Sequence, residues 1–249
     1  MALTMLTGIM LSSGITAHAY ELFNYTQYGE AAEGTVFCKK GSSNSDASAD
    51  CDYYIFKAPS AGKLTIDAFS TSDTKPKYEV YVSFFDVIEK NGKRSTKRIK
   101  DYNTEVVKKS GGAKLKKTVE VKNAQYALCF ATPYYDLTQS YSFTLTFKPL
   151  KPVLTVTEAK RSRVKAKWNR VSGVAGYELQ YADNKKMKNA VTIETTGEKS
   201  NIKLIKGLEK GKRYFYRVRC IAESGSGDSA QTFVSAWSKK RPFKLSKDA

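Results

Sequence analysis

The seven residues from Tyr141 to Phe147 alternate strictly between large apolar and hydroxyl-bearing side chains. Successive side chains of a β-strand point to opposite faces, so a period of two predicts a strand with one buried and one solvated face. The apolar set is Tyr141, Phe143, Leu145 and Phe147, and the polar set is Ser142, Thr144 and Thr146. The segment therefore predicts a sheet that packs on a core through one face.

Further strand candidates precede this segment at short spacing, with turn residues between them. They are residues 53–58, 63–69, 78–89, 95–102, 115–121 and 126–131. Among the turns, Asn91-Gly92 is the strongest signal for a two-residue hairpin. The chain has 16 Tyr and 12 Phe, which suit half-buried strands. No helix of ordinary length is needed, so we expect an all-β fold of packed sheets.

A proline-rich segment separates this pattern from a second one. Pro149 and Pro152 lie three residues apart in the sequence from Phe147 to Val153. Proline has no backbone donor and forces extended backbone, so the segment predicts a short, stiff linker. We expect two consecutive β-sandwich domains, one over residues 20–148 and one over residues 150–246.

The first nineteen residues differ from the rest of the chain. They contain no Asp, Glu, Lys or Arg and end in Ala17-His18-Ala19 after an apolar run. The run is shorter than the roughly 20 apolar residues of a membrane span, and small residues at its end are typical of a signal peptide, although the usual basic start is absent. We expect a signal peptide over residues 1–19 and a secreted protein that begins at Tyr20.

Cleavage before Tyr20 would remove His18, the only histidine. Catalytic triads, histidine general bases and the common zinc sites all need imidazole, so they are excluded for the secreted protein. Paired carboxylates are the enzyme chemistry that stays open. We expect no enzymatic activity, no cofactor and no metal.

The net charge of +18 is unevenly distributed. Residues 20–149 carry 19 basic and 15 acidic residues, whereas residues 150–249 carry 23 and 9. An excess of this size suggests polyanionic surroundings such as acidic glycans, cell-wall phosphate polymers or anionic lipid, with nucleic acid the weakest of these for a secreted protein. The alternative is that the charge only keeps the protein soluble.

Four basic residues alternate with a predicted buried set in the second domain. They are Arg161, Arg163, Lys165 and Lys167. On a strand they share one face and form a basic stripe that can neutralise phosphates or carboxylates of a polymer, with an affinity that falls with salt. A plain solvated face is the alternative interpretation.

The four cysteines have no metal-binding spacing. Cys38 and Cys51 flank a polar loop, and a disulfide between them is geometrically easy in an oxidising compartment. We favour this bridge over free thiols. For Cys129 and Cys220, one in each domain, we expect two separate buried thiols rather than a bridge between the domains.

Two loops of the first domain are weaker candidates. Tyr134 and Tyr135 follow Pro133 at a loop tip, where exposed rings could stack on sugars, although most tyrosines of a small sandwich are partly buried. Asp46, Asp50 and Asp52 offer oxygen ligands suited to calcium, but without the register of an EF-hand. A flexible polar loop is the preferred interpretation there.

Four groups of residues in the second half follow one another in the order that a known domain family shows. They are Val164, Ala166 and Trp168; Gly176 to Tyr181; Leu208, Tyr214, Tyr216 and Val218; and Ala236 to Ser238. This half resembles an immunoglobulin-like fibronectin type III domain. The resemblance implies a core role for Trp168 and a tyrosine corner at Leu208 and Tyr214. It also implies that Ala236–Ser238, with Trp237, forms the final strand, and that the domain is a spacer or a protein-binding module.

The first half carries a looser likeness. The matching residues are Asp50 to Phe56, Gly62 to Ile66, Tyr126 to Phe130 and Tyr141 to Leu145. They resemble the pre-peptidase C-terminal domains of secreted bacterial peptidases, which implies a β-sandwich of that type, with a jelly roll as the alternative. Such domains resemble carbohydrate-binding modules and perform no catalysis themselves.

These features together favour a secreted, non-catalytic binding or adhesion protein of the bacterial surface. We expect its partner to be an anionic cell-wall polymer, a glycan or an extracellular protein, without a membrane span or nucleic acid. The alternative is a carbohydrate-binding accessory module of an extracellular degradative system. The sequence leaves the oligomeric state open.

Overall fold

The computed structural model describes residues 20–25, 27–39, 48–49, 51–71, 80–91, 93–103, 105–107, 112–131, 137–159 and 163–246. Strands dominate these residues, and the one helix among them is a 3-10 turn at Gly227–Ser229. No described helix is long and apolar enough to cross a bilayer. The chain forms two compact units, with the main division between Phe147 and Lys148. The predicted all-β fold of two consecutive sandwiches is confirmed.

The first unit holds eleven described strands in two sheets. They are β1 (Tyr20–Asn24), β2 (Ala31–Lys39), β3 (Ser48–Ala49), β4 (Cys51–Lys57), β5 (Gly62–Thr71), β6 (Tyr81–Lys90), β7 (Lys93–Asn103), β8 (Glu105–Val107), β9 (Gly112–Val121), β10 (Gln125–Ala131) and β11 (Leu137–Pro149). One sheet has the order β1-β4-β10-β6-β7 and the other β3-β2-β11-β5-β9-β8. β1 pairs parallel to β4. The pairs β4–β10, β10–β6 and β6–β7 of the same sheet are antiparallel.

The hairpin between β6 and β7 follows its sequence signal. Lys90 lies opposite Lys93, so the connection between the two strands is two residues long. Asn91 has a φ of 52°, the left-handed conformation that such turns require and that asparagine tolerates. The hairpin prediction is confirmed.

The core of the first unit is an aromatic layer between its two sheets. Tyr141, Phe143, Leu145 and Phe147 of β11 are buried, and the hydroxyl-bearing residues between them are more exposed, as the alternation predicts. Phe130 of β10 stacks on Tyr141 with ring centroids 4.2 Å apart and on Phe143 at 4.8 Å. Tyr54 of β4 packs edge-on against Phe143 at 4.6 Å. These contacts join the two sheets into a sandwich.

The second unit is an immunoglobulin-like sandwich of two sheets. Its strands are β12 (Leu154–Ala159), β13 (Arg163–Trp168), β14 (Gly176–Ala182), β15 (Val191–Thr196), β16 (Ile202–Ile205), β17 (Arg213–Ser224), β18 (Gln231–Val234) and β19 (Arg241–Lys244). β12, β13 and β16 form the three-stranded sheet. β15, β14 and β17 form the other sheet, with β18 and β19 both paired to β17.

Aromatic side chains fill the space between these sheets. Trp168 is 2% exposed and packs edge-on against Tyr177 at 5.4 Å. The Tyr177 hydroxyl donates to the Glu198 carbonyl at 3.1 Å and accepts the Val171 N–H at 3.0 Å, so it is satisfied although buried. At the turn into β17, the Tyr214 hydroxyl accepts the Glu209 N–H at 3.3 Å, and Leu208 beside it is buried. These contacts give Trp168 a core position and Tyr214 the hydrogen bond of a tyrosine corner.

The segment Ala236–Ser238 departs from the expected continuous strand. β18 ends at Val234 and β19 begins at Arg241. The hydroxyls of Ser235 and Ser238 accept the β17 N–H groups of Cys220 and Val218, at 3.1 and 3.0 Å. Because these side chains replace backbone carbonyls as acceptors, the ladder is interrupted while its donors stay satisfied.

The cysteines occupy strands of both units. Cys129 in β10 and Cys220 in β17 are buried and form no disulfide, which agrees with the preferred interpretation of two separate thiols. Burial raises the pKa of the Cys220 thiol. The backbones of Cys38 and Cys51 lie in β2 and β4, but their side chains lie outside the described part of the structure. The disulfide between them stays a prediction.

Buried tyrosines give the fold an alkaline limit. Burial raises the pKa of Tyr28, Tyr141 and Tyr216 far above the ordinary value. A group with a raised folded-state pKa contributes its stability fully below the unfolded-state pKa of about 10, and that stability is lost as the pH rises further. We expect the free energy of unfolding in urea to fall above about pH 10, by up to about 1.4 kcal/mol per pH unit for each such tyrosine.

Tyr216 provides a specific test of this account. Its hydroxyl is buried and has no hydrogen-bond partner among the described residues. Burying an unpaired hydroxyl costs roughly 1–3 kcal/mol. We expect Tyr216→Phe to raise the free energy of unfolding by about 1 kcal/mol at pH 7 and to weaken the decline above about pH 10. A destabilised Tyr216→Phe variant would contradict the absence of a partner.

Candidate functional site

The candidate site is the outer face of the three-stranded sheet in the second unit. On β13, Val164, Ala166 and Trp168 are buried, and the residues between them point outward. Lys165 and Lys167 are exposed and Arg163 is partly exposed. The alternation of β13 therefore places three of the four predicted stripe residues on one face. Arg161 lies outside the described residues.

The neighbouring strands complete this face. Lys165 lies opposite Thr157 of β12 and Leu204 of β16, and Lys167 lies opposite Thr155 and Ile202. Directly opposed residues of antiparallel strands share one face, with Cβ atoms about 4.5–5.5 Å apart. We call the outward set of Arg163, Lys165, Lys167, Ile202 and Leu204 the basic face.

The cations of the basic face form no ion pair with any described side chain. In the ion pairs that the structure describes, the basic partners are Arg98, Lys116, Lys212 and Arg219. Arg163, Lys165 and Lys167 therefore present positive charge that nothing described in the protein neutralises. Such charge attracts anions from solution, and the attraction is screened by salt.

In the other sheet of the same unit, two arginines of β17 have partners within the protein. Arg219 of β17 forms an ion pair with Glu178 of β14. Arg217 donates twice to the Gln180 side-chain oxygen, at 2.9 and 2.6 Å. The guanidinium carbons of Arg217 and Arg219 lie 4.2 and 4.5 Å from the centre of the Trp237 ring. These arginines are held by internal partners.

Placing Arg217 and Arg219 side by side on Trp237 also has an electrostatic cost. Burial lowers the pKa of Arg217, the neighbouring charge of Arg219 lowers it further, and Glu178 opposes the change. Arginine stays protonated at neutral pH even so. The ring faces of Trp237 and the oxygens of Gln180 and Glu178 compensate the two charges locally. These contacts therefore stabilise the fold, and the two arginines are engaged within the protein.

We expect Trp237→Ala to lower the free energy of unfolding of the second unit by about 1–2 kcal/mol, because two cation–π contacts worth about 0.5–1 kcal/mol each are lost. The matched variant Trp237→Phe keeps a weaker aromatic face and should lose less. Urea unfolding measures both changes. Equal losses in the two variants would contradict this account, because the phenylalanine ring would then give the arginines no stabilisation.

The sequence candidates in the first unit do not assemble into a described site. Tyr134 and Tyr135 lie outside the described residues. Asp46 and Asp50 of the proposed calcium loop also lie outside them. Asp52 is 6% exposed and its carboxylate accepts a hydrogen bond from the Tyr141 hydroxyl, which in turn lies 3.0 Å from the Tyr54 hydroxyl. Asp52 therefore belongs to a buried polar network of the core.

No group of three or more potential metal-ligating side chains occurs among the described residues. The inward direction of Asp52 has a local cause. Asp52 shares the core-facing side of β4 with Tyr54 and Phe56, because the three alternate along the strand. Burial is the main cause that raises the pKa of Tyr141, and the Asp52 carboxylate raises it further.

The sequence reasoning missed the aliphatic part of the basic face. Ile202 and Leu204 were not selected because alternate apolar residues on a strand are expected to be buried. Their register against Lys165 and Lys167 shows that they point outward, and Ile205 takes the buried position opposite Val164. The cross-strand register decides this, and it is not visible in β16 alone.

Comparisons with known proteins are distant. No protein family model and no curated protein matches the chain. The pre-peptidase C-terminal domain of collagenase from Bacillus anthracis is 10% identical with a TM-score of 0.30, over 53% of this chain and 98% of that one. A cytokine receptor complex is 13% identical with a TM-score of 0.40, over 73% and 95%. The FN1-FN3 domains of chicken CNTN1 are 16% identical with a TM-score of 0.33, over 69% and 55%.

Proposed function

We propose that this protein is a secreted, non-catalytic binding protein that attaches to a polyanion of the bacterial surface through the basic face of its second unit. In this role the second unit is both the wall contact and a spacer for the first unit. The proposal rests on two features, the predicted signal peptide and the positive charge of the basic face.

The observation that carries the proposal is the contrast between the two sheets of the second unit. Arg217 and Arg219 are each compensated by a polar or acidic neighbour and by Trp237. Lys165 and Lys167 are exposed and form no ion pair with a described side chain. Exposed cations in a row create a local positive potential that attracts an external anion.

The spacing of the cations suits a linear polymer. Lys165 and Lys167 are two residues apart on one strand, which separates their Cα atoms by about 6.5–7 Å. Successive charged groups of a phosphate polymer lie at similar separations and can meet both ammonium groups. Three such contacts predict an affinity that falls roughly 20- to 40-fold when the salt concentration rises fourfold.

Co-sedimentation with purified Gram-positive cell walls tests the proposal. The chain should be retained at about 0.05 M salt and released at about 0.5 M, where the Debye length falls well below the width of the face. Absence of retention on walls at low salt would overturn the proposal.

The same experiment with insoluble polysaccharides tests the alternative of a carbohydrate-binding accessory module. Stacking of aromatic rings on sugars depends little on salt, so this alternative predicts retention that survives at about 0.5 M salt. Retention of that kind, without binding to walls, would replace the polyanion proposal with the alternative.

A further inference from the structure

The basic face contains exposed aliphatic side chains as well as cations. Ile202 is 48% exposed and Leu204 is 37% exposed. At one end of the face, Val153 is 61% exposed, and its backbone pairs with that of Asn169 beyond the end of β13. These are large apolar surfaces to leave in water. A purely hydrophilic polymer that neutralised the lysines would leave them uncovered.

The strand register places each of the two aliphatic side chains of β16 beside a lysine of β13. Leu204 lies directly opposite Lys165, and Ile202 lies directly opposite Lys167. Neighbouring strands are about 4.8 Å apart, so each aliphatic side chain stands beside a lysine stem. The lysine stems are themselves apolar, and their ammonium groups can extend away from an apolar contact. These four residues therefore present an apolar surface bordered by positive charges.

We propose that the basic face binds the surface of an anionic lipid bilayer. This inference goes beyond the proposed function, because it adds an anionic lipid layer to the cell-wall polyanion as a partner of the same face. A layer of anionic headgroups offers phosphates to Arg163, Lys165 and Lys167, and the adjacent acyl region receives Ile202 and Leu204. Both parts of the face are then covered by one partner, which neither a neutral bilayer nor a soluble polyanion achieves.

The geometry fits surface contact and not insertion of the protein. The face belongs to a short three-stranded sheet in which β13 is paired on both sides and β12 and β16 are edge strands. The outer backbone groups of edge strands need hydrogen-bond partners that the hydrocarbon region of a bilayer does not supply. Only side chains enter the interface, as in peripheral proteins that combine a basic patch with a few apolar anchors. Binding of this kind is reversible and depends on both the charge of the lipid and the apolar contact.

The test uses co-sedimentation of the full chain with two kinds of vesicle. One kind contains phosphatidylglycerol and phosphatidylcholine in equal parts, and the other contains phosphatidylcholine alone. Binding to soluble polyphosphate is measured in parallel, because polyphosphate carries the negative charge without the apolar layer. The chain should partition onto the anionic vesicles at about 0.05 M salt and not onto the neutral ones.

The decisive variant is Ile202→Ser combined with Leu204→Ser. Each residue is already partly exposed, so the change is compatible with the fold. Loss of both apolar contacts should lower partitioning onto anionic vesicles by roughly 20-fold and leave polyphosphate binding unchanged. The matched control is Val191→Ser combined with Val234→Ser, because these residues are 48% and 44% exposed on the other sheet. The control should change neither the partitioning onto anionic vesicles nor the binding to polyphosphate.

The outcomes separate this inference from the proposed function. Polyphosphate and wall binding without binding to anionic vesicles would overturn the inference and leave the proposed function standing. Equal partitioning of the Ile202→Ser, Leu204→Ser variant and the unchanged chain would also overturn it. Binding to neither polyphosphate, walls nor vesicles would overturn both. Equal binding to neutral and anionic vesicles would overturn the inference as well, because it would remove the role of the cations.

Discussion

Replacing Trp168 with alanine is expected to lower the free energy of unfolding of the second unit by about 3–5 kcal/mol. Trp168 is 2% exposed, and its ring contacts Tyr177 of the opposite sheet at 5.4 Å. The missing indole would leave a cavity that the two sheets can close only by moving together. Because a domain is stabilised by about 5–15 kcal/mol in total, this single change consumes a large part of that stability.

Urea unfolding followed by circular dichroism measures the effect, with Trp168→Phe as the matched control. The Trp168 indole N–H is buried and has no hydrogen-bond partner among the described residues. Phenylalanine removes that unsatisfied donor and keeps most of the ring, so its cost should be clearly smaller. A loss below about 1 kcal/mol in the alanine variant would contradict the central core position of Trp168.

Replacing Arg163, Lys165 and Lys167 together with glutamine is expected to weaken binding to cell walls roughly 100-fold at about 0.05 M salt. Each cation near an anionic surface contributes about 1 kcal/mol, and the three act on the same partner. The residual binding should also depend less on salt, because fewer counterions are released on contact. The fold should be unaffected, since these side chains have no described ion-pair partner to lose.

The matched control replaces Lys185, Lys186 and Lys188 with glutamine. These lysines are exposed in the turn after β14 and belong to the same unit, so the net charge falls by the same amount. The control should bind walls nearly as well as the unchanged chain. Equal weakening in the two triple variants would show that overall charge, and not the basic face, drives binding.

Local sequence patterns predicted the strands whose two faces differ in polarity. The alternation from Tyr141 to Phe147 predicted β11 and its buried face, and Asn91-Gly92 predicted the β6–β7 hairpin. Both features are local, because side-chain period and turn conformation are determined by adjacent residues. The basic row on β13 followed from the same period.

The same patterns missed β1 and indicated only the end of β2, at Cys38. β1 is a five-residue strand that pairs parallel to β4, and β2 contains Gly34 and two alanines. Short strands and small residues give little periodic signal, so tertiary pairing decides their conformation. Ser235 and Ser238 were missed as ladder acceptors for a related reason, since a serine beside a strand gives no sign of which backbone donor it will meet.

The candidate site was predicted only in its charged half. Lys165 and Lys167 were identified from β13 alone, but Leu204 and Ile202 join them only through the pairing of β16 with β13. Asp52 was only a weak calcium candidate beside the preferred interpretation of a flexible polar loop. The alternation of β4 turns it toward Tyr141 in the core.

Lysine acetylation measured by mass spectrometry, with and without bound cell walls, tests most directly whether the basic face is the contact surface. Each lysine acts as its own reporter, and an ammonium group covered by a polyanion reacts more slowly. The account predicts that Lys165 and Lys167 become protected at low salt, while Lys185, Lys186 and Lys188 keep their reactivity. Protection of that second group, with Lys165 and Lys167 still reactive on bound protein, would contradict it.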